Sequence, residues 1–207
     1  MTQQVEPPPI SRLERKRNKK IDEILAATNE VLRDKGYDSI NLEEVADKVD
    51  LTKASLYHYF SSKEELLTSC LDRVAEDAAT RMRRVLEKYE DSPASVRLEQ
   101  LVLEHLLIVT LDYPHVSELF TKRLKWPYAY RAQVKRMRSE HDKFFRDVIE
   151  DGLRTGEFVC DDPDLVRRCL YGAINGVPVW LTASSERAVR DLCDRLTPIL
   201  LKMLTAE

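Results

Sequence analysis

The sequence predicts an all-α protein: a small N-terminal three-helix unit, a connecting helix, and a larger C-terminal bundle. Three observations carry this. Apolar residues recur at helical spacing through almost the whole chain. Only 5 of 207 residues are glycine, while Leu, Glu, Lys, Arg and Ala abound. No segment alternates apolar and polar residues as a half-buried strand would. The scarcity of glycine also argues against a nucleotide-binding enzyme built on glycine-rich phosphate loops. Hydrophobic residues make up 43% of the chain and charged residues 33%, enough apolar content to exclude a wholly disordered chain.

The elements follow from period and punctuation. From Lys20 to Lys35 the apolar positions Ile21, Ile24, Leu25, Val31 and Leu32 are helically spaced, and Gly36 is the C-terminal stop. Asn41 opens a short helix with Glu44 three residues on, a capping-box pattern. After the turn at Asp50-Leu51, Thr52 caps a third helix reaching about Phe60. Ser62 with Glu65 is a second capping box, opening a long helix to Tyr89 that would span roughly 40 Å. Asp91-Ser92-Pro93 ends it. Further helices are expected over 94–112, 115–124, 128–155, 163–182 and 186–204, separated by Tyr113-Pro114, Trp126-Pro127, Gly156 with Asp161-Asp162-Pro163, and Ala183-Ser184-Ser185.

Net charge is −3, yet charge is segregated. Residues 12–20 carry six positive charges against Glu14, preceded by the proline-rich stretch Thr2–Pro9, expected to be a disordered or extended arm. A second basic stretch, 121–146, holds nine positive residues and two acidic ones. Such runs are either anion-binding or solvated faces. The first 63 residues carry eleven basic and eleven acidic residues, so a nucleic-acid module there depends on local placement of charge. Cys70, Cys160, Cys169 and Cys193 lie far apart, away from metal-ligand spacing. With no apolar leader at the start and no bilayer-length apolar run, they read as reduced thiols of a cytoplasmic protein, mostly core fillers.

The pattern from Asn41 to Phe60, helix, four-residue turn, helix, is that of a helix-turn-helix. Val45, Ala46, Val49, Leu51 and Leu56 lock the two helices together. Thr52, Lys53, Ser55, Tyr57, His58 and Tyr59 offer hydrogen-bonding and aromatic groups suited to base edges and phosphates. The run Leu51-Thr52-Lys53-Ala54-Ser55-Leu56-Tyr57-His58-Tyr59-Phe60, followed by Ser61-Ser62-Lys63-Glu64-Glu65-Leu66, resembles the DNA-binding signature of TetR-family bacterial repressors, over about residues 18–68. The resemblance implies base-facing positions at Lys53, Ala54 and Ser55, backbone and thymine-methyl contacts at Tyr57, His58 and Tyr59, and a phosphate contact at Lys63. Asn41 and Thr52 would combine capping with phosphate contact. Asp50 departs from the family's usual turn glycine, and Asp tolerates a left-handed backbone better than most residues.

The resemblance further implies a C-terminal domain that binds a small molecule and forms a homodimer. The last two helices are apolar enough to build a four-helix interface between subunits, or simply to pack in their own core. The expected division is a flexible basic arm at 1–17, a helix-turn-helix domain at 18–65, and a ligand-binding and dimerisation domain at 66–207. Candidate ligand contacts are Phe120, Arg123, Trp126, His141, Phe145, Tyr171, Asn175 and Trp180. Within 172–180, small residues leave room and Pro178 should kink the helix, while Asn175 needs a polar partner, either ligand or a neighbouring helix. This segment and the Gly156-Glu157-Phe158 turn are similar to TetR-type regulators of fatty-acid and steroid degradation, some of which respond to acyl-CoA thioesters. Residues 121–146 would suit the phosphates of such a ligand, or form a solvated face.

The expected function is therefore a repressor released from a palindromic double-stranded DNA operator by a small-molecule effector, an acyl-CoA thioester being one candidate. No cofactor, metal, membrane partner or catalysis is expected. The alternatives are an effector-independent DNA-binding regulator or activator, and an all-α enzyme. For the enzyme, His105, His115 and His141 and many carboxylates exist, but they form no metal-binding or nucleophile motif.

Overall fold

The computed structural model describes residues 11–36, 39–114, 126–181 and 185–205, which contain helices and no strand. Helix α1 is Arg12–Lys35. It starts well before Lys20 because Ser11 closes a capping box: its Oγ accepts from the Glu14 N–H at 3.1 Å, and the Glu14 carboxylate accepts from the Ser11 N–H at 2.8 Å. The basic residues of 12–20 thus lie on helical turns, whereas a flexible arm was expected through residue 17. Residues 1–10 lie outside the described residues.

Helix α2 is Leu42–Asp47 and α3 is Lys53–Leu56. The capping box expected at Asn41 does not form. Asn41 Oδ1 accepts from the Glu43 N–H at 2.9 Å, while the Glu44 carboxylate pairs with Lys35 at 2.6 Å. Asp50 between the two helices has φ 54°, the left-handed geometry expected of this turn. Past α3 the chain keeps turning, with Tyr57 N–H bonded to Lys53 O and Phe60 N–H to Leu56 O, so the reading to Phe60 holds as a turn.

Helix α4 is Lys63–Lys88. Ser62 Oγ accepts from the Glu65 N–H at 3.0 Å, but Glu65 reaches back to the Ser61 N–H instead of completing the box. Helix α5, Ala94–Leu107, runs into a π-helical turn, Ile108–Asp112. Helix α6, Tyr128–Thr155, ends at a left-handed Gly156 with φ 78°. Helix α7 is Pro163–Trp180, with Pro178 in its last turn, and α8 is Glu186–Leu201, followed by a 3₁₀ turn at Lys202–Leu204. The helix expected over 115–124 lies outside the described residues.

Two apolar clusters form. The first gathers Val31, Leu32, Val45, Leu56 and Phe60 with Leu66–Val74 of α4, with Val134 and Met137 of α6 and with Trp126, two residues before α6 begins. The second gathers Ala78 and Met82 of α4 with α5, α6, α7 and α8. Helix α4 therefore belongs to both, and Tyr113 packs against both. Two cysteines, Cys70 and Cys193, are buried fillers, and burial pushes the Cys70 thiol up to about 12. Cys160 is half-buried and Cys169 exposed, and all four are free thiols. No helix among the described residues is long and apolar enough to cross a membrane.

Candidate nucleic-acid interface and effector cavity

The turn at Asp50 and the buried Leu56 and Phe60 orient the start of α3 outward. Thr52 Oγ1 caps α3 by accepting from the Ser55 N–H at 3.1 Å and also meets Ser55 Oγ at 2.9 Å. Lys53 and Ala54 are exposed, as are Tyr57 and His58. Lys53 Nζ lies 3.2 Å from Glu43, an exposed pair worth little and easily exchanged for a phosphate. Tyr59 differs from its neighbours: it is half-buried, packs on the first cluster, and has the Arg17 guanidinium over its ring at 6.0 Å. Lys63 Nζ donates to the Ile40 carbonyl at 3.4 Å and Lys20 Nζ to the Val49 carbonyl at 3.2 Å. Arg17 and Lys20 thus place the basic first turns of α1 beside the α3 surface. The sequence reading assigned those turns to a tail and missed this adjacency. The capping residue Ser11, with Glu14 three residues later, was the available signal.

A cavity of about 600 Å³ lies between α4, α5, α6 and α7. Its apolar wall includes Val74, Ala75 and Ala78 of α4 with Ile108 and Val109 of the π-helical turn. Its polar wall includes His105, His141, Tyr171 and Asn175. Four cationic side chains, Lys135, Arg138, Arg167 and Arg168, also line it. Arg167 is committed to the carboxylates of Asp142 and Asp164.

At the polar wall His105 Nδ1 and His141 Nε2 are 3.0 Å apart. Both imidazoles are held neutral. Burial, then the neighbouring His141, drive His105 down to about 3, with the Asn175 side chain working weakly the other way. Burial drives His141 down to about 4, opposed by Asp142. The Tyr171 hydroxyl donates to the His141 carbonyl at 3.2 Å, and burial raises its pKa well above the ordinary value. The sequence reading weighed His105 only as a possible enzymatic group. A histidine inside the apolar run Leu101–Leu111 was the signal that it faces something polar.

Of the eight candidate ligand contacts, His141, Tyr171 and Asn175 line the cavity. Phe145 is fully buried behind it, its ring 5.1 Å from that of Tyr171. Trp126 is buried in the first cluster, and Trp180 stands 61% exposed on the outside of α7. Phe120 and Arg123 lie outside the described residues. Among the described residues of the basic stretch, Arg131 donates to the Trp126 carbonyl at 2.8 Å and the others take two roles. Arg136, Lys143 and Arg146 pair with acids on their own helix, in part with Asp147 and Glu150 beyond the stretch, whereas Lys135 and Arg138 face the cavity. Among the described residues no group of three or more His, Cys, Asp or Glu side chains is placed to hold a metal ion.

A helix-turn-helix head joined by one shared helix to a bundle with a small-molecule cavity defines a class of DNA-binding transcriptional regulators. The chain belongs to the tetR family of bacterial regulatory proteins: the family's own model matches residues 24–70, and the model of the tetracyclin repressor-like C-terminal domain matches residues 91–204, more than half the chain. Similar proteins include the transcriptional activator FasR of Mycolicibacterium smegmatis, 32% identical over 39% of this chain but only 37% of that protein. The nucleoid occlusion factor SlmA of Aliivibrio fischeri is 26% identical over 78% of this chain and 83% of its own. The transcriptional repressor KstR of Rhodococcus jostii is 27% identical over 84% and 77%. The same fold occurs in a tetR-family regulatory protein from Rhodococcus RHA1 (TM-score 0.77, 20% identity, 91% of this chain and 98% of that one). It occurs in AibR in complex with isovaleryl coenzyme A and operator DNA (0.73, 19%, 87% and 97%) and in FadR of Bacillus subtilis with stearoyl-CoA (0.71, 18%, 88% and 98%). The family model is one of bacterial regulatory proteins, and FasR and KstR are named as transcriptional regulators.

Proposed function

We propose that this regulator is a ligand-responsive repressor, cytoplasmic and homodimeric, released from a palindromic operator by an acyl-thioester effector that enters the cavity. The observation that carries this is the double membership of α4: Val74 lies in the DNA-head cluster and also walls the cavity, with Ala75 and Ala78 beside it. A ligand that displaces that wall moves the reading head, and its effect equals its difference in affinity for the two arrangements. Residues 18–65 then act as the head and 66–207 as the sensing and dimerising part.

In the head, Lys53, Ala54 and Ser55 face the bases. Tyr57, His58 and Tyr59 meet backbone and thymine methyls, and Asn41, Thr52 and Lys63 meet phosphates. In the bundle, Leu165, Cys169, Gly172, Val179 and Trp180 are exposed along one stripe of α7, with Gly176 half-buried between them, opposite the buried Leu170, Ile174 and Val177. A Cβ added at Gly172 or Gly176 would meet nothing within 4 Å, so a partner helix has room to approach. Such a dimer, built on the last two helices, would set two heads on half-sites ~34–36 Å apart. The acyl-CoA complexes of AibR and FadR support the effector class, as do the cationic residues at the cavity.

The test is binding to the chain's own upstream promoter fragment, followed by fluorescence anisotropy, with and without isovaleryl-CoA and stearoyl-CoA. Release by either thioester is expected. Binding unmoved by any acyl-CoA would favour an effector-independent regulator, and tighter binding would favour an activator of the kind FasR is named for.

A further inference from the structure

We propose that the buried His105–His141 pair, with Asn175 beside it, is the hydrogen-bonding anchor of the cavity and selects ligands that carry a neutral oxygen, a carbonyl or hydroxyl, on their apolar part. The inference rests on the reading of this cavity as the effector site.

His105 is 4% exposed and walls the cavity. Its Nδ1 is used by His141 Nε2 at 3.0 Å, while its Nε2 is buried with no partner at hydrogen-bonding geometry, the Asn175 side chain lying close by. A buried polar atom without a partner in a built cavity calls for one from the occupant. One proton is shared along the Nδ1–Nε2 contact, so the tautomers of the two rings are coupled. When His141 donates, His105 Nε2 carries a proton and can donate to a carbonyl. When His105 donates, its Nε2 is a bare acceptor and can take a hydroxyl proton. The pair therefore serves either kind of neutral oxygen without a change of charge.

It serves other ligands poorly. A hydrocarbon would expel water from the cavity and leave Nε2 unpaired. A carboxylate at this depth would exchange its hydration for a single neutral imidazole N–H, because burial opposes the imidazolium that would neutralise it and a second ring stands 3.0 Å away. The rings of Phe145 and Tyr171 pack edge-on against His105, at 6.0 and 6.2 Å between centroids, so the imidazole is held in place before any ligand arrives. Negative charge on the ligand belongs instead with Lys135, Arg138 and Arg168.

Titration calorimetry of the full chain with four probes of matched length tests this: 2-nonanone, 1-nonanol, nonanoate and 1-chlorooctane. The ketone and the alcohol should bind roughly tenfold to a hundredfold more tightly than the chloroalkane, whereas nonanoate, whose charge goes to the cationic side chains, should bind with an affinity that His105→Leu leaves unchanged. In His105→Leu that ratio should fall to near one, with the chloroalkane binding as well as before. Equal affinities in the unaltered chain, failure of both oxygenated probes to bind, or a preference that survives His105→Leu would overturn the proposal. Should His105→Leu not fold, the imidazole ¹⁵N resonances of the unaltered chain decide: they must shift with 2-nonanone and stay put with 1-chlorooctane. Operator release is read separately. Release by a thioester without the oxygen preference sinks this inference alone, and the preference without any release sinks the effector reading alone.

Discussion

Tyr57 and Tyr59 are two residues apart and carry the same ring, yet their surroundings differ. Tyr57 is 44% exposed beside the start of α3, whereas Tyr59 is half-buried under Arg17. Tyr57→Ala should therefore weaken operator binding and leave the melting temperature within a degree or two, while Tyr59→Ala lowers both. Lys63→Ala should weaken binding uniformly across operator variants and flatten the salt dependence by about one unit of slope. Titration in fluorescence anisotropy at several salt concentrations checks both, and unchanged affinity would remove these contacts. The histidine pair makes a prediction of its own. Both rings are held below their ordinary value, to about 3 and about 4, by burial. The unfolded chain therefore binds protons that the folded chain refuses. Stability is full above pH 6.5 and declines as pH falls toward the folded values, by about 1–3 kcal/mol between pH 7.5 and 5.5. Asp142, itself paired with Arg167, is the charged neighbour that works against this on His141. Urea denaturation across that pH range should show the loss, and His105→Leu combined with His141→Leu should remove most of it.

Among the helices, two contacts shape the junction at the end of α6. Helix α5 starts at Pro93 with no side-chain cap of its own. Glu157, more than sixty residues away, supplies one: its carboxylate accepts from the Ala94 N–H at 2.6 Å and the Ser95 N–H at 2.8 Å. Glu157→Ala should cost about 1 kcal/mol, the usual value of a lost N-cap, measured by thermal unfolding. In α6, Gly152 lies under the buried Phe158, and a Cβ there would stand 2.2 Å from the ring. Gly152→Ala should cost about 1–3 kcal/mol through overpacking and displace Phe158, visible as a loss of cooperativity in the same melt. The sequence shows Gly156 plainly, because a glycine after a helical run is a stop signal. Gly152 sits inside the run and shows nothing until Phe158 folds back over it.

For the molecule as a whole, the connection between cavity and head runs through two pieces. One is α4. The other is the end of the π-helical turn, where Tyr113 lines the larger cavity and also a smaller one of about 180 Å³ against Ala26, Asn29 and Arg33 of α1. Arg81 ties α4 to this region through Glu104 and, at 2.6 Å, Asp112. Arg81→Met should leave ligand affinity nearly unchanged and alter the factor by which ligand weakens operator binding, which a two-ligand linkage titration measures directly. The α7 stripe makes the assembly testable. Gly176→Arg should leave a folded chain, since the site is open in the subunit, yet shift sedimentation from dimer to monomer and lose operator affinity with it.

Local order was legible in the residues themselves. Helix period, Thr52 and Ser62 as caps, Gly156 as a stop and Asp50 as a left-handed turn all act within a few positions of the chain, so short-range patterns reveal them. The exposure of Thr52, Lys53 and Ala54 at the start of α3 was legible for the same reason, since they are neighbours in the chain. The cavity was not. Trp126, Phe145 and Trp180 share an apolar character but fall in a foreign cluster, behind the wall, and on the outside, because burial depends on which helices meet. The pairing of His105 with His141, separated by 36 residues, exists only once α5 and α6 cross. Sequence spacing carries no information about that crossing; packing of the two apolar clusters decides it.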